Sequence, residues 1–433
     1  MSDATITSLV IGRRSGPRQW LVWGAFALLL VVAPMVFSTG ASLSLLSQIG
    51  TLMIFGLSYN MLLGQGGMLS FGHAVYSGLG AFFTVHAMNL AGNNGVAIPT
   101  SLIPLVGGMA GLFFGMLLGY VTTKRSGTTF SMITLGIVEL VFACSLMFPG
   151  FFGGEGGVTT NRASGKAVMG ISFGPQIQVY YLIAIWLFVS SAAMYAFTRT
   201  PLGRISNAVR DNPERVEFVG YDTRWVRYLT LILSAFFAGI SGALSAINFE
   251  IASSEDISLA RSGAVLLFTF IGGTGYFFGP MIGALIGVFF TVVLSDLTKA
   301  WQLYLGVFFI LIVKFAPGGI ASLVMAHGRL LRHGKFGSVF PRWAAVCATS
   351  LVALVGATMV VEMGYHRGLQ AQDSPVMNLY WVSVDTAAPY GWLVAALLMV
   401  LGGFGMVRNR AAFRQVWTQA QAEVDEQIGG ADA

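Results

Sequence analysis

The residues best placed to do chemistry in this chain fall in one stretch, Leu57-Ser-Tyr-Asn60-Met-Leu-Leu-Gly64-Gln65-Gly66-Gly67-Met-Leu-Ser70-Phe-Gly72-His73-Ala74. Polar Asn60, Gln65, Ser70 and His73 are set among Gly64, Gly66, Gly67 and Gly72. Glycines at this density let a helix unwind. At membrane depth, unwound backbone is tolerated only where it lines a cavity or is buried in protein. Half-helix ends in such a break can hold a zwitterion by its carboxylate and ammonium groups. A tight cytoplasmic turn with glycine caps explains the same residues, and composition leaves both readings open.

Four further stretches carry polar groups in unusual places. Glu139, in Thr134-Leu-Gly-Ile-Val-Glu139-Leu, is an ionisable residue inside an apolar run, where it is expensive and calls for a partner or a function. It can face a translocation path, a partner subunit or a structural hydrogen bond. Phe270-Ile-Gly-Gly273-Thr274-Gly-Tyr-Phe-Phe-Gly-Pro280 interrupts a second apolar run, as a cavity-lining break or as a helix-packing site. The loop from Thr198 to Arg227 holds six arginines and four acidic residues, more than a topology signal needs. Ile205, Ala208 and Val209 share a helical face there. Asp211-Asn212-Pro213-Glu214 reads as a stop followed by a start, with Asn212 as cap and Pro213 in the first helical position. Two short surface helices of this kind suit docking to a soluble partner. Last, Pro149 to Val179 is a long outer loop with Gly153-Gly-Glu-Gly-Gly-Val158, open to an external partner. His86, His327, His333 and His366 are scattered and receive no role.

No Walker A, HExxH or GxSxG pattern occurs, so no catalytic residue is assigned. Cys144 and Cys347 each sit in an apolar run and give neither a disulfide framework nor a metal-ligand spacing.

The elements that must position these residues follow from composition. Of 433 residues 55% are hydrophobic and only 10% charged, against about 25% charged in ordinary soluble domains. Mean hydropathy is +0.74. This describes an integral membrane protein and excludes a soluble enzyme, a nucleic-acid-binding domain and a disordered scaffold. Apolar runs of helical length exclude a β-barrel. The runs lie at about 20–37, 43–63, 68–90, 99–121, 128–148, 178–197, 228–249, 262–278, 280–296, 301–316, 343–362 and 389–406, twelve candidate helices in all. The first, preceded by Arg13, Arg14 and Arg18, reads as an uncleaved helix rather than an export signal. The pair 262–278 and 280–296 is the weakest, and one broken or re-entrant element fits it as well as two spans. Counted from an inside start, the cytoplasmic loops take Lys124–Arg125, Arg199 to Arg227, Arg329 to Arg342 and Arg408 to Arg414. The outer loops take fewer cations: Arg162, Lys166, Arg261, Lys299 and Arg367. Both termini are therefore expected inside. The predicted fold is an all-α polytopic membrane bundle of about ten core transmembrane helices plus two C-terminal ones.

At these residues the chain resembles the LivM-type permeases of bacterial branched-chain amino acid ABC importers, over about residues 45–320. The likeness rests on ordered motifs: Leu-Ser-Tyr-Asn through Gly-His-Ala, Ile-Thr-Leu-Gly with Glu139, Gly-Gly-Glu-Gly-Gly-Val, Gly203-Arg204 with Arg210-Asp211-Asn212 and Gly220, Ile-Gly-Gly-Thr-Gly with Gly-Pro, and Phe315-Ala-Pro-Gly-Gly-Ile320. The resemblance implies a multi-pass protein of the bacterial inner membrane that pairs with a second, LivH-like permease. Two cytoplasmic ABC ATPases would hold ATP and magnesium, so this chain would bind no cofactor or metal itself. A periplasmic binding protein would deliver substrate, and no nucleic acid is involved. Asn60, Gln65, Gly66, Gly67, Ser70, His73, Thr134, Glu139, Gly273 and Thr274 are the candidate pathway residues. Loop 198–227 becomes the coupling loop, with Gly203, Arg204, Arg210, Asp211, Asn212, Glu214 and Gly220 as candidate contacts.

The expected organisation is a cytoplasmic tail 1–19, a permease core 20–325, a basic linker 326–342, a two-helix extension 343–406 and a polar tail 407–433. The extension departs from the family pattern. Its outer loop, Gly364 to Ala388, carries Asp373, Asp385, Tyr380 and Trp381, and Arg414 to Asp425 suits a short amphipathic helix. The expected function is import of branched-chain or other hydrophobic amino acids. Urea, amides and aromatic or other carboxylates stay open within the same class. An autonomous ion-coupled transporter using Glu139, Glu250 or His73, or a non-transporting scaffold, are the readings outside it. The charge asymmetry predicts that reporter fusions after Arg125, Gly220 and Lys335 are active only as cytoplasmic reporters, and a fusion after Arg162 only as an external one.

Overall fold

The computed structural model describes residues 17–94, 99–163, 172–369, 376–380 and 382–431. Arg13, Arg14, Lys166, Asp373 and Trp381, and residues 1–16 of the expected tail, lie outside the described residues. The chain is helical nearly throughout, as hydrocarbon demands, because a helix satisfies its backbone polar groups within one segment. It divides into two compact units, Met1–Val288 and Phe289–Ala433.

The first unit begins with α1 (Pro17–Val36) and α2 (Gly40–Asn60), the latter capped by Thr39 Oγ1 on Ser42 N–H at 3.3 Å. A π-helical turn, Met61–Gln65, extends α2. After residues 66–72 come α3 (His73–Asn94), α4 (Ile103–Thr122) and α5 (Thr128–Met147). Strand β1 (Val158–Thr159) follows, and then α6 (Gln176–Arg199). The two short surface helices are α7 (Pro201–Asp211) and α8 (Pro213–Phe218). Asn212 Oδ1 caps α8 on Arg215 N–H at 3.0 Å, and Pro213 takes its first position, as the Asp-Asn-Pro-Glu order predicts. Then follow α9 (Thr223–Phe249), strand β2 (Ile251–Ala252), α10 (Leu259–Gly272) and α11 (Gly279–Val288).

The most deeply buried helix of this unit is α9, flanked by α2, α3 and α4. Its approach to α4 and α3 runs over small residues. Gly107, Gly111, Gly115 and Gly119 recur every fourth position of α4 and face α9. A Cβ on Gly80 of α3 would lie 2.7 Å from Gly239 Cα of α9, and one on Gly115 would lie 2.7 Å from Ala235 Cβ. Lipid chains are as apolar as leucine, so this close van der Waals contact, rather than water exclusion, holds the helices together.

The weakest expected pair of spans, 262–278 and 280–296, is resolved as two helices folded against each other across a turn at Gly273–Phe278. Gly272 meets the Gly279 carbonyl, and the Phe268 ring packs on Gly287. The fourteen residues of α10 cover about 21 Å at ~1.5 Å per residue, short of the roughly 30 Å hydrocarbon core.

Strand β1 pairs antiparallel with β2, Val158 opposite Ala252. Arg162 then donates to the carbonyls of Asn248 (3.1 Å) and Gly174 (3.2 Å) and to Gln176 Oε1 (3.0 Å), while its backbone N–H donates to Glu250 Oε1 at 3.0 Å. The glycine-rich loop, expected on the outer side, is thereby pinned to the end of α9. His86 Nε2 meets the Phe151 carbonyl at 2.7 Å, a structural tie.

In the second unit the π-helical turn Phe289–Leu294 leads to α12 (Trp301–Phe315) and α13 (Gly319–Arg332), bent by 52° at Ala316-Pro-Gly. The extension is an antiparallel pair, α14 (Phe336–Leu369) and α15 (Pro389–Ala431), joined by the hairpin β3 (Val376–Leu379) and β4 (Val382–Asp385). The expected linker is mostly helical, shared between α13 and α14. Glu362 Oε1 accepts from Thr298 Oγ1 (2.6 Å) and Tyr304 OH (2.7 Å), tying α14 to α12. The expected short helix at Arg414–Asp425 is the distal part of α15, which runs unbroken for 43 residues, about 65 Å. Phe413, Trp417 and Val424 of that arm pack with Leu330, Val339 and Trp343, and Lys335 pairs with Glu423 at 2.5 Å.

Eight described helices are long and apolar enough to cross a membrane, nine if α12 and α13 form one bent span. Among the remaining expected spans, the stretch Trp20–Val36 of α1 and the whole of α10 are apolar but shorter, and α3 carries His73, Ser77, Thr84, His86 and Asn89. Replacing Gly80 by Leu forces α3 from α9, a destabilisation of ~1–3 kcal/mol or more. It is expected to lower the thermal midpoint in detergent, whereas Gly150→Ala, at a position with open space around it, leaves the midpoint unchanged.

Candidate functional site

The glycine-rich stretch is a re-entrant segment inside the first unit. From the π turn at Met61–Gln65 the chain reverses at Gly67, whose φ of +64° suits glycine, and runs back alongside α2. Its return is fixed by Tyr59 OH, which donates to the Ser70 carbonyl at 2.9 Å. By His73 the chain is level with Phe55 and Ser58: the imidazole stacks on Phe55 with ring centroids 5.4 Å apart, and Nε2 lies 3.0 Å from Ser58 Oγ. Tyr59 and Tyr76 approach the same ring edge-on. His73 is fully buried, and so are Ser58 and Ser70.

Unwound backbone here needs partners that no helix ladder supplies. Serine and threonine hydroxyls of other helices provide them. Thr134 Oγ1 of α5 accepts from Phe71 N–H at 3.1 Å and donates to the Ser131 carbonyl. Ser131 Oγ donates to the Leu69 carbonyl at 2.7 Å. Ser262 Oγ of α10 accepts from Ala74 N–H at 2.9 Å. Met68 N–H turns back to the Leu62 carbonyl at 2.9 Å. Among the described residues, two side-chain acceptors of this segment find no partner: Asn60 Oδ1, on a residue 4% exposed, and Gln65 Oε1. The second imidazole nitrogen of His73 is likewise without a partner.

Three stretches far apart in sequence meet at Gly64. A Cβ there would lie 2.9 Å from Asn60 Cγ and 2.6 Å from the Thr274 carbonyl oxygen, at the turn where Gly273 has φ +110°. From the other side, Arg210 of α7 donates Nη1 to the Gly64 carbonyl. That oxygen lies in the last turn of the extended α2, where carbonyls lack intrahelical donors and a cation is favoured. The Arg210 stem also covers Gly67, where a Cβ would lie 2.7 Å from its Cγ, and Ser206 of α7 faces Gly66. Arg210 pairs in addition with Asp211 at 2.9 Å.

Asn60, Gln65, Gly66, Gly67, Ser70, His73, Thr134, Gly273 and Thr274 thus fall in one continuous region. Glu139 does not join them. It lies beyond Thr134 on α5 and is exposed, while Thr134 and Val138 are buried.

The residues expected in the coupling loop form a compact corner. Gly203 packs on the Phe197–Thr198 backbone beneath α7, Gly220 ends α8 with φ +91°, and Thr223 Oγ1 donates to Glu217 at 2.8 Å. Arg204, Asp211, Asn212 and Glu214 are exposed. So is an apolar group the sequence reading passed over: Phe218 at 91%, Val219 at 72%, Tyr221 and Trp225. Its signal was available, since bulky apolar residues follow a charged helix without a core pattern of their own. Ser131 and Ser262 were also missed. Ser131 shares a face with Thr134 three residues on, but nothing local to Ser262 points at Ala74, 188 residues away.

Residues 41–316 match the family described as branched-chain amino acid transport system / permease component. The chain is 28% identical over 331 residues to the high-affinity branched-chain amino acid transport system permease protein LivM of Escherichia coli (strain K12), covering 71% of this chain and 76% of that one. Against LivM of Salmonella typhimurium the identity is 26% over 330 residues, with the same coverage. The fructose import permease protein FrcC of Rhizobium meliloti is 26% identical over 215 residues, 43% of this chain and 54% of that one. No solved structure matches. Thr134→Val, nearly isosteric, leaves Phe71 N–H without an acceptor at about 1–3 kcal/mol. Thermal unfolding in detergent is expected to show the loss, and Thr134→Ser to restore most of it.

Proposed function

This chain belongs to the family of permease components of branched-chain amino acid transport systems, and from that premise we propose that it is the membrane-spanning half of an ATP-driven importer for branched-chain or similarly hydrophobic amino acids. The family and the apolar helices make it a multi-pass protein of the bacterial inner membrane that is not an enzyme. The proposed partners are a second permease, two cytoplasmic ATPases that bind and hydrolyse ATP with magnesium, and an external binding protein. The names of the LivM relatives support the substrate class.

The observation that carries the mechanism is the Arg210 contact with Gly64. The exposed tip at Phe218, Val219, Tyr221 and Trp225 suits burial in a groove of an ATPase, since apolar side chains standing in water gain most from being covered. With α7 and α8 held together through buried Val209 and Val216, displacement of the tip moves Arg210. Arg210 in turn holds the turn of α2 that begins the re-entrant segment and borders the Gly273–Thr274 bend. An ATP-driven movement at the cytoplasmic corner thereby reaches both breaks, and two discrete arrangements of these breaks would give alternating access. The unsatisfied acceptors of Asn60 and Gln65 suit the ammonium group of a passing amino acid, with apolar surroundings for its side chain.

Proteoliposomes containing this chain with the second permease and the ATPases, binding protein outside and ATP inside, test the reading with radiolabelled leucine. ATP-dependent uptake is expected. Arg210→Ala is expected to cut uptake by roughly tenfold or more while the ATPases remain bound, the loss of about 1.4 kcal/mol of coupling. Phe218→Asp is expected to release the ATPases instead. ATP hydrolysis without leucine entry would overturn the substrate, and uptake independent of ATP but abolished by an uncoupler would overturn the importer itself.

A further inference from the structure

One ionisable side chain of the first unit has no place in the machinery above. Glu139 is the twelfth of the twenty residues of α5. At ~1.5 Å per residue it stands about 16 Å from one end of the helix and 12 Å from the other, near the middle of a roughly 30 Å hydrocarbon layer. It is exposed, and among the described residues its carboxylate has no ion pair or hydrogen bond. Its neighbours on the same face are apolar: Met132 at 75% exposure, Leu135, Leu140 and Met147. Two methylenes cannot carry a carboxylate from that depth to the headgroups, and hydrocarbon offers it no donor. Protein that covers the face and brings a donor removes that cost.

The shape of the face says what kind. Met132, Gly136, Glu139 and Ala143 follow helical spacing along one exposed stripe. Nothing approaches within 4 Å of the place a Cβ on Gly136 would take. Small residues on both sides of Glu139 let another helix backbone come close, which places a donor on that helix within reach of the carboxylate. Pairing two copies of this chain about a two-fold axis would bring carboxyl against carboxyl and supply neither a cation nor a hydroxyl donor, so a different chain carrying such a donor answers Glu139 better.

We propose that this stripe of α5 is the seam with the second permease subunit of the importer, and that Glu139 is its central polar contact, accepting from a cationic or hydroxyl side chain of that different chain. The inference rests on the importer reading and deepens it. The opposite face of α5 holds the re-entrant segment through Ser131 and Thr134, so one helix joins the subunit seam to the segment that Arg210 grips.

The test uses the whole importer, co-produced with a tag on this chain. With p-benzoylphenylalanine in place of Leu140, illumination of intact membranes is expected to give an adduct with the second permease. Glu139→Leu and Gly136→Trp are expected to lower recovery of the second permease with the tagged chain by roughly tenfold, at unchanged amounts of this chain in the membrane, and Glu139→Gln to keep most of it. An adduct with a second copy of this chain, or with no protein, would overturn the seam. If the untagged subunits still co-purify with the wild-type chain in that case, the importer reading stands alone. If the wild-type chain recovers neither permease nor ATPases, both fall.

Discussion

Backbone that leaves the helix inside a membrane must find every hydrogen-bond partner within the protein, and this requirement shapes the region around residues 66–72. Four backbone groups in and next to it are met by hydroxyls brought from elsewhere: the Ser70 carbonyl by Tyr59, that of Leu69 by Ser131, Phe71 N–H by Thr134 and Ala74 N–H by Ser262. These hydroxyls, donating or accepting, come from α2, α5 and α10. Three helices are thereby held in register by one unwound segment, and a shift of any of them strands a polar group in a place without water.

The second constraint is proximity. The re-entrant segment fits only because α9 lies close against α3 and α4 along a glycine row, with Gly80 against Gly239 and Gly115 against Ala235. The glycines that looked in sequence like one property serve two. Gly67 and Gly273 permit positive φ at the breaks, whereas Gly80, Gly107 and Gly115 are absences of side chain between straight helices.

This division explains what the sequence disclosed. Spans, caps and breaks are local, so the apolar runs, the Asn212-Pro213 helix start and the unwinding after Asn60 could be read directly. The meeting of Gly64 with Thr274 and Arg210 could not, because each contact joins residues more than 140 positions apart and leaves no local periodicity. Orientation about a helix axis was equally hidden for Glu139: Thr134 and Glu139 lie five residues apart on one apolar helix, and only packing shows that the first faces in and the second out. The distal arm of α15 was half legible. Its charges read as an amphipathic helix, but its continuity with the span depends on the absence of any Gly-Pro stop after Gly405, and on Trp417 finding Trp343 and His327.

Arg210 is where the two constraints combine. A guanidinium on a surface helix donating into the end of a buried one is favoured by the carbonyl-terminal dipole, yet its stem runs along Gly67, where any larger residue would displace it. A lysine would keep the charge but present a point donor on a flexible stem, without the planar fork that bonds Gly64 and Asp211 at once. The contact therefore asks for arginine on one side and glycine on the other. Neither residue alone marks a site. Together they give a surface helix a direct hold on the turn from which the unwound segment departs.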